Sequence, residues 1–141
     1  MTRRVFDLRT IGPCLEVHVS PSSAHIEWLR EKEYSIPEPM KVQMMIDTGA
    51  SVSALHLGIA EKLGLQQRSF ADISTPSHRN FRCAQYDIGL FLPGHDFRIE
   101  NVSVIESDFE AQGVGGLLGR DVLKRGLLIF NGPDDSFVLS F

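Results

Sequence analysis

An aspartate stands at the end of an apolar run and is followed at once by small residues that turn the chain. The segment MIDTGAS, residues 45–51, places Asp47 directly before Thr48 and Gly49. A strand that leads into such a turn fixes the carboxylate on rigid backbone, and the glycine leaves backbone N–H groups free to face it. A carboxylate held in this way is suited to general acid–base chemistry. An isolated Asp-Thr-Gly tripeptide is also ordinary turn chemistry, so the surrounding sequence has to decide between the two.

Three features around the tripeptide favour a chemical role for Asp47. The preceding run, MKVQMMI at residues 40–46, is apolar at alternate positions, so the turn is expected to lie against the core. Ala50 and Ser51 are small and leave room for another backbone or a substrate. About seventy residues later, residues 116–121, GLLGRD, place two bulky apolar residues before Gly-Arg, and a short helix is predicted over DVLKR.

The elements that position these residues are mainly strands. Alternating apolar side chains predict strands at residues 12–20 and 40–46. Residues 81–107 predict two strands joined by a Pro-Gly turn, and residues 127–141 predict two strands around an Asn-Gly-Pro-Asp turn. Many short strands separated by turns indicate a mainly β domain.

Two further segments are predicted to be helical. In residues 53–65, SALHLGIAEKLGL, apolar side chains recur at helical spacing from Leu55 onward, and Gly64 stands where a helix would stop. Residues 24–34, AHIEWLREKEY, predict a short helix capped by Ser23.

The whole chain, residues 1–141, is predicted to form a single domain with an insertion or long surface connection at residues 21–39. Hydrophobic residues make up 43% and charged residues 23%, as in globular proteins. The net charge of −4, without any Lys/Arg-rich run, predicts no nucleic-acid partner. The sequence contains no apolar run as long as a signal peptide or membrane span needs, so we expect no membrane association and a cytoplasmic location.

Neither a metal site nor a cofactor site is predicted. Cys14 and Cys83 lack CxxC spacing, and the five histidines are scattered without ligand spacing. The glycine-rich GVGGLLG segment is not a GxGxxG nucleotide motif, because its last glycine comes one residue late. We therefore expect no metal and no organic cofactor.

The segments MMIDTGASVSAL and GLLGRDVL together resemble the retropepsin-like aspartic proteases, small single-domain relatives of pepsin. In that family an apolar-Asp-Thr/Ser-Gly-Ala loop is followed later by an apolar-apolar-Gly-Arg segment, which packs beneath it, and by a short helix. The matched region runs from about residue 40 to the C terminus, with GPCLEVHV as a first strand. The resemblance implies an all-β acid-protease barrel with one or two short helices and an active site at a two-fold dimer interface.

The resemblance also implies a role for each matched residue. Asp47 is the implied catalytic carboxylate. The rest of the active-site loop consists of Thr48, Gly49, Ala50 and Ser51. Structural support beneath the loop is implied for Leu117, Leu118, Gly119 and Arg120. Thr48 would reach the matching loop of a second chain, and the hydroxyl of Ser51 would hydrogen-bond the outer oxygen of Asp47. Several viral members have an acid in place of Ser51 that pairs with the arginine, so Arg120 needs another partner here.

One aspartate is not sufficient for peptide hydrolysis by this route. One carboxylate takes a proton from water while a second, protonated one donates to the amide carbonyl. In the aspartic proteases, two carboxyl groups about 3 Å apart share one proton because they cannot both ionise. This chain has a single Asp-Thr-Gly, so the implied partner is a second copy in a homodimer. The C-terminal segment SFVLSF, residues 136–141, is expected to join the sheet of that dimer, although in some relatives other edges do this.

The family further implies a flap, a hairpin that closes over the substrate and excludes water. The candidate is the segment of residues 73–84, ISTPSHRNFRCA. Its implied substrate-binding residues are Thr75, Ser77, His78, Arg79 and Asn80. Flaps of this kind usually have glycine near the tip, which this segment lacks, although asparagine also adopts positive φ.

We therefore expect an aspartic endopeptidase that hydrolyses peptide or protein substrates as a homodimer, with water activated between two Asp47 carboxylates. The alternative is a catalytically weak or inactive module that uses the same fold for dimerisation or peptide binding. The intact Asp-Thr-Gly favours the enzyme, whereas the glycine-poor flap and the missing acid at Ser51 favour the module.

Overall fold

The computed structural model describes residues 3–7, 12–74 and 81–141, and these residues form a mainly β structure. The strands are β1 Arg3–Asp7, β2 Cys14–Pro21, β3 Met40–Ile46, β4 Ala54–His56, β5 Ser69–Ile73, β6 Phe81–Phe91, β7 Arg98–Ser107, β8 Gly116–Leu118, β9 Leu127–Asn131 and β10 Ser136–Ser140. The helices are α1 Ser23–Glu31, α2 Ile59–Lys62 and α3 Arg120–Leu123, with a 3-10 turn at Glu110–Gln112. Each of these three α-helices overlaps a segment that the sequence predicts to be helical, although the resemblance implied one or two.

Six strands close into a barrel. The main sheet has the order β2-β3-β8-β4-β7-β6-β5. Strand β2 also pairs with β6, through His18–Phe91 to Pro21–Ile88, and this pairing closes the ring from β2 to β6. Strand β5 extends the sheet as a hairpin partner of β6. The apolar side chains that alternate along β2 and β3 point into the barrel and are buried, as their spacing predicted.

The parallel pairing of β3 with β8 sets the position of the turn that contains Asp47. Strand β3 runs parallel to β8, with Met44 opposite Gly116 and Ile46 opposite Leu118. Because parallel strands end at the same edge of a sheet, the residues that follow them, Asp47 and Gly119, are brought side by side. The two motifs are thus neighbours in space although they are far apart in sequence.

Strand β8 lies between β3 and β4, and the packing there leaves no room for a side chain at Gly116. A Cβ there would overlap the carbonyl oxygen of Ala54 and lie 3.0 Å from Cε of Met44, and both neighbours are buried. We expect Gly116→Ala to lower the free energy of unfolding by about 1–3 kcal/mol, as overpacking of a core does. The matched control is Gly132→Ala, where the nearest heavy atom, Cε1 of Phe130, is 3.9 Å away. Urea denaturation measures both, and equal stabilities would contradict the close packing of β8 against β4.

A second sheet has the order β1-β10-β9, and β10 is its central strand. Both hydrogen-bonding edges of β10 are therefore paired within the same chain, to β1 and to β9. This corrects the expectation that the segment SFVLSF adds to the sheet of a partner, because its edges are already occupied. Within the described residues, the outer strands of this sheet are β1 and β9.

The helix predicted over residues 53–65 is only partly correct. Residues Ala54–His56 form β4, which lies between β7 and β8 and pairs with both. Leu55 is buried there, so its apolar side chain serves a strand rather than a helix face. The helix itself shrinks to α2 and ends before Gly64, whose φ of +65° confirms its role as a helix stop.

The short helix in the segment after β2 is present, but its cap is one residue earlier than predicted. Ser22, not Ser23, is the N-cap, and its Oγ accepts a hydrogen bond from the N–H of His25. No residue of α1 is buried, so this helix lies on the surface. That residues 21–39 are an insertion in a single domain stays a prediction. No helix in the described residues is long and apolar enough to cross a membrane.

Candidate active site

The Asp47 carboxylate is held by its own loop. Its backbone N–H donates to the carbonyl of Leu118 at 3.0 Å, which continues the β3–β8 pairing by one residue. The N–H of Ala50 donates to the carbonyl of Asp47 at 3.2 Å and closes the turn, while the N–H of Gly49 donates to Oδ1 of Asp47 at 2.9 Å. A Cβ at Gly49 would lie only 3.1 Å from that oxygen, so glycine permits the close approach.

The Gly-Arg segment contacts this loop through hydrogen bonds and close packing. The backbone N–H of Arg120 donates to the carbonyl of Ala50 at 2.8 Å, and its Nη1 donates to the carbonyl of Thr48 at 2.9 Å. A Cβ at Gly119 would lie 2.7 Å from the carbonyl carbon of Val52, so the absence of a side chain lets the loop pack closely. The partner that Arg120 needs in place of an acid is thus a backbone carbonyl.

A hydrogen-bond network between Ser53 and Asp121 was missed by the sequence analysis. The N–H of Ser53 donates to Oδ2 of Asp121 at 2.9 Å, and its hydroxyl donates to Oδ1 at 2.7 Å. The same hydroxyl accepts the N–H of Gly119 at 2.9 Å, and Oδ1 of Asp121 also accepts the N–H of Val122. Ser53 is fully buried, so this network fixes the end of the loop to the start of α3. The available signal was an acid directly after Gly-Arg.

A groove with a volume of about 300 Å³ runs beside the carboxylate. The active-site loop supplies Asp47, Gly49, Ala50, Ser51 and Val52. The strands and the segments beside them supply Ala54, Ile73, Ser74, Cys83, Ile105, Ser107, Phe109 and Leu117. Burial raises the pKa of the Cys83 thiol, so this residue is a protonated and weakly nucleophilic part of the wall at neutral pH. The groove therefore combines one carboxylate with a mostly apolar wall.

The remaining predicted site residues have other positions in the structure. The hydrogen bond to the Asp47 carboxylate comes from the backbone of Gly49 rather than from Ser51, whose side chain is exposed. Leu118 is buried in the barrel, and Leu117 lines the groove. The implied flap residues Thr75, Ser77, His78, Arg79 and Asn80 lie outside the described residues. In the part of the chain that is described, no group of three or more His, Cys, Asp or Glu side chains is placed to hold a metal ion.

A protein-family model described as gag-polyprotein putative aspartyl protease matches residues 35–125. The chain belongs to this family of aspartyl proteases. The matched range contains both the Asp47 loop and the segment with Gly119 and Arg120 that supports it. The family assignment made from these two motifs is thus confirmed.

Solved aspartyl proteases share the fold. A retropepsin-like aspartic protease from Rickettsia conorii superposes with a TM-score of 0.63 over 99% of this chain and 91% of that chain, at 18% identity. The EIAV protease, complexed with the inhibitor HBY-793, gives a TM-score of 0.51 over 85% of this chain and 91% of that chain, at 16% identity. The predicted retropepsin-like barrel is confirmed. No curated protein gives a significant sequence match.

Proposed function

We propose that this aspartyl protease family member is an active endopeptidase, in which Asp47 and its copy in a second chain activate one water molecule. The observation that carries the proposal is the Asp47 carboxylate itself, fixed by the N–H of Gly49 at the edge of a groove of about 300 Å³. A carboxylate held by backbone keeps its position as charge changes, which is the preorganisation that acid–base catalysis needs.

The hydrolysis needs two carboxyl groups. One Asp47, ionised, takes a proton from water as the water oxygen attacks the carbonyl carbon of the peptide. The other Asp47, protonated, donates its proton to the carbonyl oxygen. The C–N bond of the resulting tetrahedral species then breaks as the departing nitrogen takes a proton from the first carboxyl group. The second carboxylate takes a proton back from a hydroxyl group of the same species, which becomes the new carboxyl group. Water is added across the amide, and the pair of carboxyl groups returns to its initial state of protonation.

The second carboxyl group is proposed to come from a second copy of the chain. Among the described residues that line the groove, Asp47 is the only acid. A two-fold axis through the edge where Asp47 lies brings two identical loops together and closes the assembly at two copies. Thr48, which is exposed beside Asp47, is proposed to contact the matching loop.

The substrate is proposed to be an extended segment of a peptide or protein. An extended backbone presents its scissile carbonyl to Asp47 and its neighbouring side chains to the groove wall. That wall is apolar at Ile73, Ile105 and Phe109, so it is matched to an apolar side chain.

Incubation with a mixed peptide library across a range of pH tests the proposal. We expect cleavage at discrete sites and inhibition by a pepstatin-like compound, which occupies paired carboxyl groups. Sizing of the same sample should show a dimer wherever cleavage occurs. A dimeric protein that cuts no peptide at any pH would contradict the enzyme and favour a peptide-binding or dimerisation module with this fold.

A further inference from the structure

His56 contacts the backbone of a residue in the groove wall. It is the last residue of β4, and its Nδ1 accepts a hydrogen bond from the N–H of Phe109 at 2.9 Å. Phe109 is only 7% exposed and lines the groove beside the Asp47 loop. His56 itself is partly open to solvent, with a side chain that is 32% exposed. The partly exposed side chain of His56 thus holds the backbone of Phe109 in the groove wall.

This hydrogen bond exists only with the neutral imidazole. A ring nitrogen accepts a hydrogen bond when it carries no proton, so the contact with Phe109 assigns the single ring proton of His56 to Nε2. When the ring takes up a second proton at Nδ1, two donors face each other and the bond is lost. Histidine is the side chain that changes charge between about pH 5 and 8.

An acceptor for the protonated ring is already in place. Oδ1 of Asp108 lies 3.8 Å from Nδ1 of His56 and also accepts the N–H of Glu110. A small rotation of the ring would therefore exchange the backbone of Phe109 for the carboxylate of Asp108. Proton uptake is thus linked to release of Phe109 through a defined alternative partner.

No other charged group of the described strands faces this ring. On β7 the residue paired with His56 is Ser107, which is uncharged, and β8 carries no charged residue. Glu106 pairs with Leu55, one position along, and so lies on the opposite face of β7. Burial raises the pKa of Tyr86, and the negative charge of Glu106 raises it further. Helix α2 also packs against β4 and carries Glu61 and Lys62, but within the described residues the ion pair within 4 Å of the His56 ring is the one with Asp108.

We propose that His56 is a positioning residue for the substrate groove, which holds Phe109 when neutral and releases it when protonated. Its effect on cleavage rests on the proposed endopeptidase function, whereas its effect on Phe109 does not. Loss of one neutral hydrogen bond loosens the apolar wall, so KM for substrates with a large apolar side chain in the groove rises by about 2- to 10-fold as pH falls through the transition. The hydrogen bonds that hold the Asp47 loop involve neither His56 nor Phe109, so the maximal rate is expected to be unaffected by this step.

Two-dimensional NMR of the Phe109 amide tests the positioning directly. In the wild type, its shift moves as acidification protonates His56 and the hydrogen bond from Phe109 is lost. In His56→Asn the side-chain oxygen replaces Nδ1 as an acceptor that does not titrate, so the shift stays at its high-pH value throughout. In His56→Ala the shift stays at the low-pH value. His95→Asn, a matched control outside this contact, leaves the wild-type transition unchanged. An identical Phe109 transition in wild type and His56→Asn would overturn the proposal.

Asp108→Asn provides a second variant that keeps His56 in place. The asparagine oxygen still accepts the N–H of Glu110, but the carboxylate that would pair with the protonated ring is gone. The shift of the Phe109 amide at low pH is expected to differ from that in the wild type, and identical low-pH shifts would contradict the exchange of partners.

Steady-state kinetics on a substrate from the peptide library then separates the two hypotheses. The pH-dependent rise of KM should be present in the wild type and absent in His56→Asn, at similar kcat. A titrating Phe109 amide without any cleavage would refute the endopeptidase and leave the positioning intact. Cleavage with the same KM profile in both proteins would refute the positioning alone.

Discussion

Replacement of Asp47 by asparagine is expected to abolish peptide cleavage while the fold is retained. The amide oxygen of asparagine still accepts the hydrogen bond from Gly49 that now reaches Oδ1 at 2.9 Å, so the loop keeps its conformation. Neither copy of the residue can then take a proton from water or donate one as a carboxylic acid. We expect kcat/KM to fall by about 10⁴-fold or more, and thermal melting should show an unchanged transition. A variant that cleaved at the wild-type rate would refute the mechanism.

Mixing wild type with Asp47→Asn tests whether each site takes one aspartate from each chain. If chains exchange and pair at random, an equal mixture leaves about one dimer in four with two aspartates. The cleavage rate of the mixture is then about half the rate of the same amount of wild-type protein measured without the variant. A chain that carried a complete site would keep its full rate in the mixture. Albumin at equal mass controls for crowding and surface loss. Native mass spectrometry of isotope-labelled wild type mixed with the unlabelled variant shows whether mixed dimers form.

Much of the active-site loop could be predicted from local sequence, because it depends on local chemistry. The alternation of Val42, Met44 and Ile46 fixes which side of β3 is buried and where the strand ends. Asp47 and Gly49 then follow as a turn whose glycine the close approach to the carboxylate requires. The support by Gly119 and Arg120 came from the resemblance, since no local pattern shows that two distant segments end at one edge.

What could not be predicted depends on pairings between distant segments. Leu55 has the spacing of a helix residue, but β4 gains hydrogen bonds on both sides from β7 and β8, and this tertiary pairing outweighs a weak helical preference. The central position of β10 follows from its pairing with β1, near the opposite end of the chain. Ser53 and Asp121 likewise carry no pattern that links them. Such contacts are read from the structure, not from periodicity.

The Ser53–Asp121 network predicts a large loss of stability when its carboxylate is removed. Asp121→Ala removes the acceptor for three donors: the N–H and hydroxyl of Ser53 and the N–H of Val122. Ser53 is fully buried, so water cannot replace the lost carboxylate there. The N–H of Val122 keeps the carbonyl of Gly119 as an acceptor at 3.2 Å, so the two donors of Ser53 are left unsatisfied. Each unsatisfied buried donor costs about 1 kcal/mol or more, so the free energy of unfolding should fall by about 2 kcal/mol. Urea denaturation followed by circular dichroism measures the change.

Two variants make this result specific to the network. Asp121→Asn keeps one acceptor oxygen but turns an amide N–H₂ toward a donor of Ser53, so its stability should lie between those of wild type and Asp121→Ala. Asp96→Ala removes an exposed carboxylate elsewhere and should change stability by less than about 0.5 kcal/mol. Because the same network fixes the end of the Asp47 loop, Asp121→Ala should also lose cleavage activity under conditions where it is still folded. A folded Asp121→Ala protein with full activity would show that Arg120 and Gly119 hold the loop without help from the network.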